Sequence, residues 1–197
     1  SYSDGGEYCS IMVKSREGRP IKLAGNPNSP LTKGGTSARV QASVLSLYDT
    51  GRAKGPSISG NEAKWDAIDN AITSALAAGP VAVLTSTVLS PSTQGVINDF
   101  VTKFNGTHVT YDAHSSSGIL AANEADFGTR AIPNYRFDKA EVIVSFGADF
   151  LGTWIAPVQY TKQYVAGRKL NNADMKMSKH FQIESMLSLA GANADNR

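Results

Sequence analysis

Few side chains in this sequence could do chemistry, and they are widely spaced. Cys9 is the one cysteine. A single thiol closes no internal disulfide and cannot by itself anchor zinc or an iron–sulfur cluster; on its own it reads as a small buried hydrophobe. His108, His114 and His180 show no metal-ligand spacing on one helix, and no H-E-x-x-H occurs. Gly34-Gly35-Thr36-Ser37 looks like a phosphate loop but lacks the lysine before Thr/Ser, and there is no Walker A, G-x-G-x-x-G or G-x-S-x-G motif. Ser115-Ser116-Ser117 lies between a strand-like and a helix-like run, where serines serve turns and caps. Gly147-Ala148-Asp149-Phe150 follows the clearest strand. A strand ending in glycine at a helix N-terminus can host a nucleotide phosphate, but Asp149 would repel it and reads as a capping aspartate. Asn105-Gly106-Thr107 matches a glycosylation acceptor, a common chance match. The residue types therefore assign no catalytic, no cofactor-binding and no metal-binding residue.

The elements that would position these residues follow from periodicity and turn chemistry. Cys9–Ser15 and Pro20–Ala24 read as a β-hairpin around Arg16-Glu17-Gly18-Arg19, since glycine takes a positive φ without steric cost. Asn26-Pro27-Asn28-Ser29-Pro30 is a turn. Thr36 or Ser37 caps a helix over Ala38–Tyr48, and Gly51–Asn61 is a loop. Glu62–Ala77 is an amphipathic helix with Trp65, Ile68, Ile72 and Leu76 on one face. Pro80–Thr85 is a buried strand. Ser92–Phe104 is a helix with Val96, Ile97, Phe100, Val101 and Phe104 inward. His108–Tyr111 is a strand, Gly118–Ala125 a short helix, and Glu141–Phe146 a strand. Gly152–Gly167 is helix-like with a kink at Pro157; its Trp154, Tyr160 and Tyr164 read as core packing or as a partner surface. Asn171–Lys179 is a loop, and His180–Ser185 a last strand. Strands alternating with helices predict an α/β fold: an N-terminal hairpin segment, then βαβ units in a mostly parallel three-layer sheet. The expected division is a hairpin and linker segment over 1–60 and an α/β domain over 61–197, the whole read as a fragment of a longer chain.

Composition narrows the function classes. The 197 residues carry 19 basic and 17 acidic side chains, a formal net charge of +2. That is no electrostatic footprint for nucleic acid or an anionic membrane. No apolar run approaches the ~18 residues of a membrane span. One cysteine says nothing about redox compartment.

Cys9 to Leu76 nevertheless carries a recognisable order: the Glu17-Gly18-Arg19 hairpin, Asn26-Pro27, Lys33-Gly34-Gly35, Tyr48-Asp49-x-x-Arg52, then Trp65-Asp66-Ala67-Ile68. This resembles the opening of the molybdopterin oxidoreductase family, in which four cysteines hold a four-iron cluster. Matching Gly18 to the hairpin glycine puts Cys9 at the third cysteine, and matching Arg39 puts Ser37 at the fourth. Gly5-Gly6-Glu7-Tyr8 fills the region of the first two. Thiolates are what such clusters select, so the resemblance implies that no cluster is held here. It also places Tyr111–Gly118 at the molybdenum-ligand region, with Ser116 or Ser117 as the candidate ligand if a cofactor is present. Asp149-Phe150 stands where family members with cofactor often show Asn-Pro.

Three longer blocks, Gly34–Leu45, Val144–Leu151 and Ser185–Asp195, are similar to the large iron–sulfur subunit of alternative complex III, a bacterial quinol oxidoreductase. That resemblance implies a cofactor-free, molybdopterin-enzyme-like N-terminal part, with iron–sulfur clusters in a C-terminal half that this sequence does not include. It implies export by the twin-arginine route to the periplasm and a place peripheral to the inner membrane. Its partners would be a multihaem cytochrome subunit and integral membrane quinol-binding subunits. The alternatives are the N-terminal part of a genuine molybdopterin-dependent oxidoreductase, or a module reusing the fold to bind a small ligand.

Overall fold

The computed structural model describes residues 1–4, 7–88, 90–170 and 175–197. In chain order the elements are β1 (Tyr2–Asp4), β2 (Glu7–Cys9), β3 (Ile11–Arg16), β4 (Arg19–Gly25), α1 (Ala38–Ala42), β5 (Ser57–Ile58), β6 (Asn61–Glu62), α2 (Trp65–Ala78), β7 (Ala82–Thr85), α3 (Pro91–Lys103), β8 (Thr107–Thr110), α4 (Ser117–Phe127), β9 (Val142–Phe146), α5 (Pro157–Arg168), β10 (Lys179–Ile183) and α6 (Leu189–Ala192). The chain forms two compact units, one of Ser1–Arg52 with Pro133–Arg197 and one of Ala53–Ile132.

In the first unit, β3 and β4 form the expected hairpin, in register from Ile11↔Gly25 to Arg16↔Arg19. Glu17 (φ 50°) and Gly18 (φ 76°) make the turn. The helix expected to Tyr48 stops at Ala42 and continues as a 3₁₀ segment, Ser43–Leu47. Ser43 Oγ donates to the carbonyl of Val40, and Ser46 Oγ to that of Ser43. Serine hydroxyls that bond back to helix carbonyls compete with the regular ladder.

β9 and β10 pair in parallel, Val142↔Lys179 to Phe146↔Ile183, with α5 as their connection. Pro157 does not kink a longer helix as expected. It opens α5 at the first helical position, where its missing N–H costs nothing and its φ suits the helix. The core lies under this pair: Phe137, Ile143, Phe150, Leu151, Tyr160, Tyr164 and Ala190. Phe137 and Phe150 stack with centroids 4.4 Å apart, and Tyr160 meets Phe137 edge-on at 5.0 Å. Tyr160 and Tyr164 are thus core residues, while Trp154 packs partly buried against that core. Burying each such ring is worth ~1.5–3 kcal/mol.

The second unit contains the other parallel pair, β7 and β8, joined through α3. Apolar spacing forms its helices, yet none of the described residues of Ala53–Ile132 is buried. Trp65 and Ile72 on α2 are exposed, and Val96, expected inward on α3, is 68% exposed. Ile97, Phe100, Val101 and Phe104 are half-buried.

The architecture is mixed α/β, but among the described residues every sheet has two strands. The expected three-layer sheet is not seen: the two parallel pairs lie in different units. Of the expected loop at Asn171–Lys179, residues 171–174 lie outside the described residues, and Lys179 begins β10.

Candidate functional site

Cys9 and Ser37, 28 positions apart in sequence, lie on two segments that bond to each other: the Cys9 thiol reaches Gly35, and Ser37 reaches Glu7 of the same strand β2. The antiparallel pair β1–β2 sets Tyr2 opposite Cys9. Cys9 is fully buried, packed with Val40 and Val158 and flanked by Tyr2 and Ile11. Its thiol donates to the carbonyl of Gly35 at 3.1 Å. Burial pushes the thiol above its ordinary pKa, and the Thr36 hydroxyl opposes this more weakly. Ser37 Oγ accepts from Val40 N at 3.2 Å, capping α1, and donates to Glu7 Oε2 at 2.9 Å. Gly35 lets the chain close here, because a Cβ would lie 2.9 Å from the carbonyl oxygen of Thr32. The donor set is one protonated thiol, one capping hydroxyl and a carboxylate. It does not fit a four-iron cluster, which needs converging thiolates. Gly5 and Gly6, in the stretch matched to the first two cluster cysteines, lie outside the described residues.

Ser115, Ser116 and Ser117 sit in the second unit, before α4. Ser115 Oγ donates to Ser117 Oγ at 2.9 Å and accepts from Ser117 N at 3.1 Å. The serines fold onto one another as a local turn. Nearby, Asp112 holds Thr87 through its backbone N–H at 2.7 Å and through its hydroxyl. These two bonds tie the loop after β8 to the loop after β7 and draw the Asp112 carboxyl below its usual range.

Gly147 follows β9 with φ 65°. Asp149 then closes a tight turn: its carbonyl accepts from the N–H groups of Gly152, Thr153 and Trp154. Its carboxylate accepts from Ala190 N at 3.0 Å and from Thr153 Oγ1 at 3.3 Å. Asp149 does not cap the following helix as expected, since α5 begins only at Pro157 with Ala156 before it and no side-chain cap. Its carboxylate closes its own turn and ties the loop after β9 to α6. Glu184 performs a parallel task, accepting from Ser188 N at 3.0 Å, Ser188 Oγ at 2.6 Å and Arg197 Nε at 2.9 Å. Those bonds, Ser188's hydroxyl foremost, lower its pKa to about 2. Ligands of parallel sheets bind outside the carboxyl ends of the strands. Here that position is held by the protein's own carboxylates, and a phosphate does not fit beside them. Next to it lies a cleft of 240 Å³ lined by Tyr135, Val144, Phe146, Phe150 and Trp154. Its polar neighbour, Ser145, spends its hydroxyl on the carbonyl of Ala148.

No family model matches the chain. It is similar to the menaquinone reductase, molybdopterin-binding-like subunit of Nitratidesulfovibrio vulgaris strain Hildenborough. The two are 26% identical over 157 residues, which make up 73% of this chain and 22% of that protein. This chain therefore spans less than a quarter of the relative's length. The similarity supports a molybdopterin-oxidoreductase-like relation.

Against that relation, the positions singled out in the sequence divide in two. Cys9 and Ser37 converge, as the cluster match requires, but on a packed interior. Ser116 and Ser117 belong to the unit of Ala53–Ile132, and Gly147 and Asp149 to the other. Among the described residues no three His, Cys, Asp or Glu side chains group to hold a metal ion, and no helix is long and apolar enough to cross a membrane. Sequence reasoning missed the polar chain around His180, in which Arg168, Asp195, Gln182 and Glu184 take part. Alternation in β10 was the available signal: His180 and Gln182 fall on one face, both buried, and Phe181 on the other.

Proposed function

We propose that this chain is a cofactor-free structural domain of the iron–sulfur subunit of a membrane-associated quinol oxidoreductase of the alternative complex III type. It folds the subunit and offers surface to its neighbours, while electrons pass through clusters carried elsewhere in the polypeptide. In this reading the subunit faces the periplasm after twin-arginine export and contacts a multihaem cytochrome and integral membrane quinol-binding subunits.

The observation that carries the reading is the state of Cys9. A residue matched to a cluster ligand is fully buried, protonated and bonded to a backbone carbonyl. Redox cofactors carry the electron chemistry, and a protein supplies position and electrostatics; a site with this donor set supplies only position. The relative's description as molybdopterin-binding-like supports the same reading.

Each parallel pair then belongs to a larger, mostly parallel sheet covered on both faces. The outward side of β9 supports this, with Val142, Val144 and Phe146 all more than half exposed; parallel sheets are normally buried on both faces. A rung beyond β10 supports it as well, since Phe181 bridges in parallel to Asn196.

The test is the iron and molybdenum content of the full-length parent purified from its native membrane. Abundant iron with no molybdenum is expected. Near-stoichiometric molybdenum would overturn the proposal and make Ser116, Ser117 and the Gly147 turn parts of an active site.

A further inference from the structure

The polar chain under β10 has a defined proton order. Glu184 is ionised at neutral pH and can only accept. Gln182 Nε2 donates to Glu184 Oε2 at 3.1 Å, which fixes the amide with Oε1 toward His180 Nε2, 3.1 Å away. That oxygen also only accepts, so His180 must carry a proton on Nε2. Its other nitrogen, Nδ1, lies 3.2 Å from Tyr164 Oη. Tyr164 Oη also lies 2.9 Å from the carbonyl oxygen of Asn193, a third group that only accepts. Tyr164 has one proton for two acceptors. With a neutral imidazole, one contact must go unserved. With an imidazolium, Nδ1–H donates to Tyr164 Oη and Tyr164 donates to Asn193, so every group is satisfied.

We propose that His180 and Tyr164 form a proton-operated clasp on the C-terminal segment: the Tyr164 hydroxyl proton serves His180 Nδ1 while the ring is neutral and turns to the Asn193 carbonyl when the ring takes a second proton. The segment is positioned for this. Asp195 N and Asn196 N both donate to the carbonyl of His180, and Asp195 Oδ2 accepts from His180 N at 2.7 Å. Charged and titratable groups reach the imidazole from three sides. Arg168 and Tyr164 come from α5, Glu184 follows β10, and Asp195 comes from the segment itself, while the Phe150 ring packs 5.2 Å away. Burial and Arg168 disfavour the cation; the Gln182 hydrogen bond, Asp195 and Glu184 favour it. Burial dominates, so the ring is neutral at neutral pH, the state in which the clasp has Tyr164 turned inward. The exchange balances: one proton enters at Nδ1, and the Tyr164 O–H rotates without leaving its oxygen.

The test is imidazole ¹⁵N NMR of the whole chain across a pH titration, in wild type and in Tyr164→Phe. The expected result is the Nε2–H tautomer at neutral pH. In Tyr164→Phe the imidazolium loses its acceptor, and proton affinity at His180 should fall about tenfold, as for a hydrogen bond to a charged group. A neutral Nδ1–H tautomer in wild type would overturn the proposal, and so would an unchanged or higher titration midpoint in Tyr164→Phe. If that variant fails to fold, the wild type decides through the coupling across the hydrogen bond from the Tyr164 hydroxyl proton to His180 Nδ1, expected at neutral pH and lost on acidification; its absence at neutral pH would overturn the proposal.

Discussion

Arg168 and Asp195 meet in a two-pronged ion pair, Nη1 to Oδ2 and Nη2 to Oδ1, both at 2.8 Å. The same guanidinium donates to the carbonyl of Ser178 at 2.5 Å, and the same carboxylate accepts the backbone N–H of His180. One pair therefore fastens the end of α5, the entry to β10 and the C-terminal segment. The Arg168 side chain is 16% exposed and that of Asp195 27%, which sets this pair apart from the more exposed Arg130–Glu124 pair.

Asp195→Ala leaves the His180 N–H without an acceptor and the guanidinium with the Ser178 carbonyl in place of a two-pronged carboxylate. A loss of roughly 1–3 kcal/mol is expected, read as a lower denaturant midpoint at unchanged slope. Arg130→Ala should change stability by no more than about 0.5 kcal/mol. Equal effects from the two variants would contradict this account.

Acid should loosen the same region. Arg168 holds the Asp195 carboxyl far below its usual range, and Ser188 holds Glu184 down to about 2 from an ordinary 4.5. A carboxyl whose folded pKa is depressed stabilises the fold fully above its unfolded value and loses that contribution as pH falls through the folded one. Stability should therefore decline between pH 4.5 and 2. Glu184→Gln should flatten that decline, as followed by the melting temperature against pH.

Cys9 should be inert to thiol reagents in the native chain. The thiol is buried and its pKa raised, and only the thiolate reacts. Labelling should follow the rate of opening and become immediate in denaturant. Fast native labelling would mean that the interior around Val40 and Val158 is not closed.

Phe150→Ala removes a ring that is 1% exposed and stacked on Phe137. The expected cost is about 3–5 kcal/mol, with loss of near-ultraviolet circular dichroism from the aromatic cluster. Phe127→Ala, at a position 76% exposed, serves as the neutral comparison.

Amide exchange should separate the two units. Local opening is easiest where few apolar groups are buried, and no described residue of Ala53–Ile132 is buried. Amides of α2 and α3 should exchange well before those of β9, β10 and α5. Uniform protection across the chain would refute the contrast.

How much of this was legible beforehand varies with the range of the interaction. The β3–β4 hairpin was readable because Glu17-Gly18 specifies its turn locally. The strands β7 and β9 were readable as short apolar runs between turn residues. Pro157 was misread because a proline in a helical pattern signals either a kink or a start. What decides is whether the preceding residues are helical, and Ile155, at φ 57°, is not. The inward face of α3 was misjudged at Val96 because periodicity shows which residues share a side, but not what covers it.

The site was legible as composition and illegible as geometry. That one cysteine cannot hold a cluster follows from counting thiolates, whatever the fold. That Asp149 spends its carboxylate on backbone N–H groups follows in part from its place after a strand and a glycine, but the group it serves belongs to α6 and not to the helix that follows it. By itself, then, the sequence determined the local elements, the βαβ alternation and the poverty of metal ligands, because these depend on neighbouring residues and on side-chain chemistry alone. Only the tertiary structure decided that Cys9 reaches Gly35 while Ser37 reaches Glu7, and that Arg168 clasps Asp195 beside a buried His180. It alone also showed that Asp149 reaches Ala190, 41 positions away. Such contacts depend on how distant segments pack, and nothing in the spacing of residues along the chain encodes them locally.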